Sequence, residues 1–424
     1  MNLSDYVLYF LEKKKVNNVF TITGGAICFL MDAFSRNKNM KYTAVAHEQA
    51  AAMMADSYSR LGPNFSATMV TSGPGATNLL TGIACSWFDS IPSLHICGQV
   101  NRHELASFGK STKKVRQVGF QETDIVSMSK PITKFAYQLK NENEIRYILE
   151  KAFYLSQEGR PGPVLIDIPM NLQRKIIDPK KLKSFFAKKK SPKKQKLINQ
   201  INKVLSQFKK SKRPVIIIGG GIRISKTNKE LIFFLKNMNI PIVTTWSGID
   251  AITHDYKNYI GCIGVYGSRA ANFVIQNSDF VLSLGSRLDT RVTGGVPKNF
   301  ARNAIIASVD IDKYELNKKR GLKIEIKINE SLKDFFIDFR KTAKDININK
   351  ADWVQKSILW KKKYPIVLDI NRKQKKYVNP YFFMEKLSKY LKSDDIVIAD
   401  DGAHLTWTIQ ALKVLKKQRL FSAF

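Results

Sequence analysis

The chain has 424 residues, with 70 Lys and Arg against 35 Asp and Glu, and so a formal net charge of +35. At about 100–200 residues per domain this length allows two to four domains, and 44% hydrophobic with 11% aromatic residues excludes a disordered basic tail. No apolar run approaches the roughly 18–20 residues of a membrane span. The start, MNLSDYVLYFLEKKK, carries Asp5 inside its apolar stretch and no small-residue cleavage site, unlike a signal peptide. Cys28, Cys85, Cys97 and Cys262 show no pairing pattern, which suits free thiols in a reducing cytoplasm.

A basic excess of this size invites a nucleic-acid partner, but its make-up argues otherwise. The 70 cations are 53 Lys and only 17 Arg, and base readout favours Arg. The lysines are scattered among abundant Asn and Ile, a background bias in residue usage. One dense cluster, PKKLKSFFAKKKSPKKQK, puts nine Lys between Lys180 and Lys196. It reads as a solvated interdomain linker, with a polyanion-binding or membrane-surface segment as the alternative. Neither nucleic acid nor membrane is expected as a partner.

In chain order, Ser4–Lys15 has helical apolar spacing with Ser4 as N-cap, and VFTIT is a strand ending at Gly24-Gly25. His47–Arg60 reads as a helix, SATMVTS as a buried strand and Pro74–Trp87 as the next helix. PSLHICG and PVLIDIP follow as strands, the latter a continuous apolar run suited to the centre of a parallel sheet. After the lysine linker the pattern restarts with PVIIIGGG, IPIVTT, DFVLSLG and AIIASVDID. A polar segment then leads to VNPYFFMEKLSKYL as a helix and DDIVIADDG as a strand.

Strand, Gly-rich turn and helix in repetition predict an α/β protein with two doubly wound parallel-sheet domains and the start of a third. The expected layout is a first domain over 1–175, a Lys-rich linker and entry helix over 176–212, a central Rossmann-like domain over 213–345, a connector over 346–376 and the beginning of a third domain over 377–424. Fewer than 50 residues remain for that third block, so the chain is expected to stop inside it.

The Gly-rich turns Gly24-Gly25 and TSGPGATN let a backbone approach a ligand, or serve only as tight connections. Between them, His47-Glu48-Gln49 follows the apolar strand YTAVA. A Glu there sits either at the carboxyl mouth of a parallel strand, where ligands bind, or simply at a helix start that favours an acid.

Gly24-Gly25, His47-Glu48-Gln49, TSGPGATN, the Gly82–Pro92 segment, GQV, FQETDIV and GRPGPVLIDIP occur in order. Together they resemble the pyrimidine-binding domain of thiamine-diphosphate enzymes, specifically the acetolactate synthase branch. VTTWSGIDA, GCIGVYGSRAAN, LGSRLDTRVTG and SVDID resemble the FAD-binding central domain of the same synthases.

The resemblance implies a transferase that decarboxylates pyruvate and passes the acetyl unit to a second 2-keto acid, as in branched-chain amino acid biosynthesis. Glu48 would hydrogen-bond a pyrimidine ring nitrogen of thiamine diphosphate, and Gly25 and Gln121 would line the same pocket. Thr71, Gly75 and Asn78 would surround the pyrimidine, Asn78 having a helix-facing polar residue as its alternative. Gly402 and His404 resemble diphosphate contacts. For a structural FAD the implied contacts are Arg160, Gly220, Gly221, Thr244, Gly264, Gly267, Arg287, Asp289 and Asp310. Arg291 would orient a substrate carboxylate or else form a surface ion pair. A homodimer or homotetramer is implied, with a regulatory subunit as a further partner.

Four departures qualify the resemblance. Met170 stands where the synthases usually carry Lys. The STKK-RQVGFQETDIV, KPITKFAY and NEIRYILEKAFYL segments are closer to relatives tied to surface-polysaccharide synthesis, some of which use a keto-sugar acceptor. Ala403 replaces an expected Gln. The GDG…Asn-Asn motif that holds Mg²⁺ is absent, its family position lying beyond Phe424. A non-catalytic cofactor-binding fragment is the remaining alternative, and the chain alone is expected to be inactive.

Overall fold

The computed structural model describes residues 1–62, 65–108, 115–187, 194–344 and 346–423. The STKK segment at 111–114, the middle of the lysine cluster at 188–193, Asp345 and Phe424 lie outside the described residues. The chain divides into two units, one built on residues 1–190 and the other on 191–422.

The first unit is a six-stranded parallel sheet of β1 (Asn18–Thr21), β2 (Lys41–Ala44), β3 (Ser66–Val70), β4 (Ser93–Gln99), β5 (Phe135–Gln138) and β6 (Val164–Pro169), in the order β2-β1-β3-β4-β6-β5. Every residue of β3, β4 and β6 is buried, because helices cover both faces and leave the strands no solvated side. The YTAVA strand is the exposed edge. Chain direction across the sheet reverses after β2: β1 is flanked by β2 on one side and β3 on the other, and the later strands follow β3.

Two local expectations change. The first helix is Leu3–Lys13 and its cap is Asn2, whose Oδ1 accepts from the Asp5 N–H at 2.7 Å. Ser4 is instead fully buried and donates to the Gln173 carbonyl. The helix after Gly73 is divided, Pro74–Asn78 and Leu80–Asp89, where the Leu79 N–H takes the Ala76 carbonyl in a tighter turn.

The second unit repeats the architecture with β7 (Pro214–Ile218), β9 (Ile242–Thr244), β10 (Tyr259–Cys262), β11 (Phe280–Leu284), β12 (Ile305–Val309) and β13 (Ile326–Ile328), in the order β10-β9-β7-β11-β12-β13. Here the reversal falls between β7 and β11. A short pair, β8 (Met238–Asn239) with β14 (Ile348–Asn349), lies outside that sheet. The Lys194–Lys210 helix enters the unit with Leu197, Ile201, Val204 and Phe208 buried at helical spacing. Phe208 packs edge-on against Phe280 of β11 at 5.0 Å.

Residues 346–376, read from sequence as a connector, carry the Ala351–Lys363 helix. Trp353 of that helix is buried and its indole N–H donates to the Pro214 carbonyl at 3.0 Å, so apolar anchoring outweighs the polar composition. The last block contributes the Pro380–Tyr390 helix, capped by Asn379, the Ala403–Ala411 helix, and a parallel pair, β15 (Ile396–Ile398) with β16 (Arg419–Phe421).

This block is tied to the second sheet by a buried carboxylate. Asp250 accepts from Arg223 at 3.1 Å, from Arg419 at 2.6 Å and from the Leu420 N–H at 3.2 Å. Beside it, His254 Nδ1 accepts from the Val414 N–H and Nε2 donates to the Ile249 carbonyl, which requires a neutral ring. Burial pulls the His254 pKa down to about 4. In the first unit, His95 is buried between Thr68 and Ser93 with its pKa lowered to about 3.

A depressed histidine pKa means the unfolded chain binds more protons between the two values, so stability falls on acidification through that window. The second unit should therefore lose a few kcal/mol between about pH 6.5 and pH 4. Four of the five tryptophans lie in it, so urea midpoints followed by tryptophan fluorescence measure the loss. A His254→Asn variant should flatten the decline.

Candidate active site

The polypeptide supplies a crevice wherever strand connections diverge in a doubly wound sheet. In the first unit the divergence lies at the carboxyl ends of β1 and β3, and the two Gly-rich turns follow those strands. The Ala26 N–H from the turn after β1 donates to Thr71 Oγ1 from the turn after β3, at 3.2 Å. Gly25 has open space around the position of a Cβ.

Glu48 opens the Glu48–Leu61 helix, one residue after β2's turn, with His47 as N-cap accepting from the Gln49 N–H. The helix is pressed on Leu80–Asp89 by Arg60, which pairs with Asp56 at 2.6 Å and with Asp89; Ser86 donates to Asp56. That clamp brings Asn78 to Glu48, and its Nδ2 donates to Glu48 Oε2 at 2.9 Å. Glu48 Oε1 faces Gly75, where a Cβ would stand 3.2 Å from it and 2.7 Å from Thr71 Cγ2. Glu48, Thr71, Gly75 and Asn78 thus converge at the reversal of the sheet. One carboxylate oxygen is held and the other looks across a glycine.

Gln121, in the segment between β4 and β5, meets the turn after β3 at Gly73. It adopts a left-handed conformation (φ +62°), a strained choice for a side-chain-bearing residue. Its Cβ and carbonyl press on Gly73, where an added Cβ would lie 2.8 Å from Gln121 Cβ. Met170 begins a four-residue helix directly after β6.

In the second unit the corresponding crevice lies at the ends of β7, β9 and β11. A Cβ on Gly221 would fall 2.8 Å from Gly285 Cα, and one on Gly220 2.9 Å from Ser247 Cβ, so these glycines let the turns pack on each other. Gly264 has φ +113° with a Cβ position 2.3 Å from the Arg291 carbonyl, and Gly267 is equally crowded by Ile263.

Arg287 and Asp289 form an ion pair at 3.5 Å, and Asp289 also caps the helix that follows. The Arg291 guanidinium lies over the Tyr266 ring at 5.5 Å, and Asp310 accepts from the Asp312 N–H. Thr244 is fully buried with its hydroxyl against Tyr259, which turns that side chain into the core. The next residue, Thr245, carries a buried hydroxyl without a partner among the described residues, a group sequence reading passed over.

Arg160 belongs to the first unit, where Nε donates to Ser90 Oγ at 2.7 Å and its carbonyl accepts from Lys134. Gly402, at φ +138°, precedes the Ala403–Ala411 helix, and a Cβ on it would touch the His404 ring. Among the described residues no three His, Cys, Asp or Glu side chains converge as a metal site, and no helix is long and apolar enough to cross a membrane.

Residues 1–128 match the family described as thiamine pyrophosphate enzyme, N-terminal TPP binding domain, and residues 201–336 its central domain. The chain belongs to the thiamine pyrophosphate enzymes. Among its relatives is the acetolactate synthase large subunit of Lactococcus lactis, 34% identical over 96% of this chain and 68% of that protein. That of Cyanidium caldarium is 33% identical over 97% and 70%, and that of Buchnera aphidicola from Schizaphis graminum 33% over 98% and 71%. Both parallel sheets suit the two thiamine pyrophosphate enzyme domains, and the relatives' names place the chain among transferases.

Sequence reading quoted Gly24, Gly73 and Gln99 within motifs but gave Gly73 and Gln99 no role of their own, and it missed Gln173. Gln173 Nε2 donates to the Ala26 carbonyl at 2.7 Å and to the Ile168 carbonyl at 2.9 Å, fixing the turn after β1. Only the polar character of Gln173 beside an apolar strand could have flagged it. A Gly75→Ala substitution should weaken thiamine diphosphate binding at least tenfold, because its methyl would enter the space facing Glu48 Oε1. Isothermal titration measures the change, with unchanged circular dichroism as the control for folding.

Proposed function

We propose that this chain is the catalytic chain of an acetolactate synthase-like enzyme, which decarboxylates pyruvate and transfers the acetyl unit to a second 2-keto acid. The observation that carries the reading is the Glu48 carboxylate at the sheet's reversal, one oxygen held by Asn78 and the other facing Gly75. This donor set fits the pyrimidine of thiamine diphosphate: a carboxylate for a ring nitrogen, and glycine where a flat ring needs close approach. When bound, that cofactor supplies the nucleophilic carbon and the electron sink for decarboxylation.

The protein's own part is positional and protonic. Glu48 Oε1 would hold the proton shared with the ring nitrogen, while Asn78 keeps the carboxylate from turning away. Gly25 and Gln121 line the space beside it and exclude water from a charged substrate. Arg291 would orient a substrate carboxylate. Gly402 and His404 are assigned to the diphosphate.

A flavin is assigned to the second crevice. Its buried Thr245 hydroxyl, the Arg287 guanidinium and the Asp310 carboxyl supply donors and an acceptor of the kind a dinucleotide takes. Active sites of this kind are completed by a partner copy, so the functional unit is a homodimer or larger. A regulatory subunit and a cytoplasmic location belong to the same reading.

The second reading keeps the donor chemistry and changes the acceptor to a nucleotide-linked keto sugar. Met170, an apolar side chain where the synthases usually carry a cation, favours it.

Pyruvate alone separates the two: the first reading expects acetolactate, and turnover only with an added keto-sugar nucleotide would select the second. Glu48→Gln should lower either turnover by several orders of magnitude, since the proton transfer then lacks its carboxylate. Flavin released on denaturing the purified protein should approach one equivalent, and fall in Arg287→Ala.

A further inference from the structure

Asp167 lies in the middle of the first sheet, on β6, and is completely buried. Carboxylates in such places are normally paired with a cation; this one is met by two amides. Gln99 Nε2 from β4 donates to Asp167 Oδ2 at 3.1 Å, and Gln138 Nε2 from β5 donates to the same oxygen at 2.8 Å. Oδ1 has no partner.

The Gln99 amide has a second role. Its Nε2 also donates to the Thr123 carbonyl at 2.8 Å, an oxygen shared with the Ile125 N–H. Its Oε1 accepts from the Val100 N–H, which stops the amide from rotating. Thr123 is two residues beyond Gln121, whose left-handed backbone rests on Gly73, two residues before the Gly75 that faces Glu48. A strained residue needs its surroundings to over-determine it. Among the described residues, Glu122 anchors the segment 118–125 by accepting from the Ala106 and Val118 N–H groups, and Gln99 anchors it at Thr123.

We propose that Asp167 is a positioning residue, which locks the Gln99 amide so that Gln99 holds Thr123 and keeps Gln121 seated on Gly73 beside Glu48. The functional half of this proposal rests on the assignment of Glu48 and Gln121 to the cofactor pocket; the structural half does not. The charge of Asp167 makes the lock adjustable. Burial pushes its pKa up to about 7, the two glutamine amides opposing that rise. The titratable groups facing it are the Cys97 thiol on β4, itself buried and pushed up, and Asp124 after Thr123. A charged carboxylate holds an amide more tightly than a neutral acid, so the lock should tighten as pH rises through 7.

Hydrogen exchange read by mass spectrometry on the full chain tests the structural half. In Gln99→Met, protection over residues 118–125 should fall at least tenfold, while β3 and β4 keep theirs as proof of folding. In the wild type that protection, corrected for intrinsic exchange, should rise several-fold between pH 6 and 8. In Asp167→Asn, which keeps the acceptor and cannot ionise, it should stay level. Unchanged protection in Gln99→Met, or a pH step persisting in Asp167→Asn, overturns the proposal.

The functional half is read from turnover: Gln99→Met combined with Gln121→Ala should be no slower than Gln121→Ala alone. Penalties that multiply would show that Gln99 does not act through Gln121. A wild-type protein that neither turns over either acceptor nor binds thiamine diphosphate in isothermal titration defeats the proposed function, and the exchange experiment then judges Asp167 alone.

Discussion

A parallel sheet cannot return its chain without a crossover, and a sheet that is wound outward in both directions must reverse those crossovers at one point. The first unit reverses between β1 and β3, and the geometry of its site follows from that. The turns after these strands cannot both be roofed by the same helix layer, so a gap remains at their carboxyl ends. Gly25, Thr71 and Gly75 line the gap because they follow the two strands, and Glu48 reaches it because β2 lies next to β1. The second unit obeys the same constraint at β7 and β11. Its glycines serve the packing of one turn on another, and its unpartnered Thr245 hydroxyl marks the end of β9.

Much of this was legible in the residues. Continuous apolar runs such as PVLIDIP and PVIIIGGG become fully buried strands because helices on both faces remove the need for alternation. Glu48, Thr71, Gly75 and Asn78 were reached through the family resemblance, not through spacing, and the fold brings the four together. The cap at Asn2 was not legible, because Ser4 and Asn2 are equally suited to capping and only the burial of Leu3 and Ser4 decides between them. The Trp353 helix was hidden by its lysines, whose charged heads stay in solvent while one buried indole anchors the segment. Thr244 and Thr245 alternate across a strand end, and sequence offered no way to tell which one faces the core.

The supporting polar groups were the least legible. Gln99, Gln138 and Asp167 come from three strands that are far apart in sequence and adjacent only in the folded sheet. Each looks unremarkable in its own stretch of chain. Their meaning comes from the hydrogen-bond balance of a dry interior, where a carboxyl without a cation needs amide donors. The same balance assigns Asp250 its two arginines. Lysine, which dominates the charge of the composition, supplies no hydrogen bond to either carboxylate: Asp250 is met by Arg and a backbone N–H, and Asp167 by Gln.

The bond between the Trp353 indole and the Pro214 carbonyl spans 139 residues, and it sets an order of events during synthesis. Pro214 begins β7, which lies inside its sheet between β9 and β11. On the ribosome, at about 5–20 residues per second, β7 emerges on the order of ten seconds before the helix that covers its start. Through that interval the apolar run from Val215 to Ile218 has surface without its final cover. Non-local closure of this kind is slow and exposed to misassociation, so the newborn second unit is where a chaperone would find its grip.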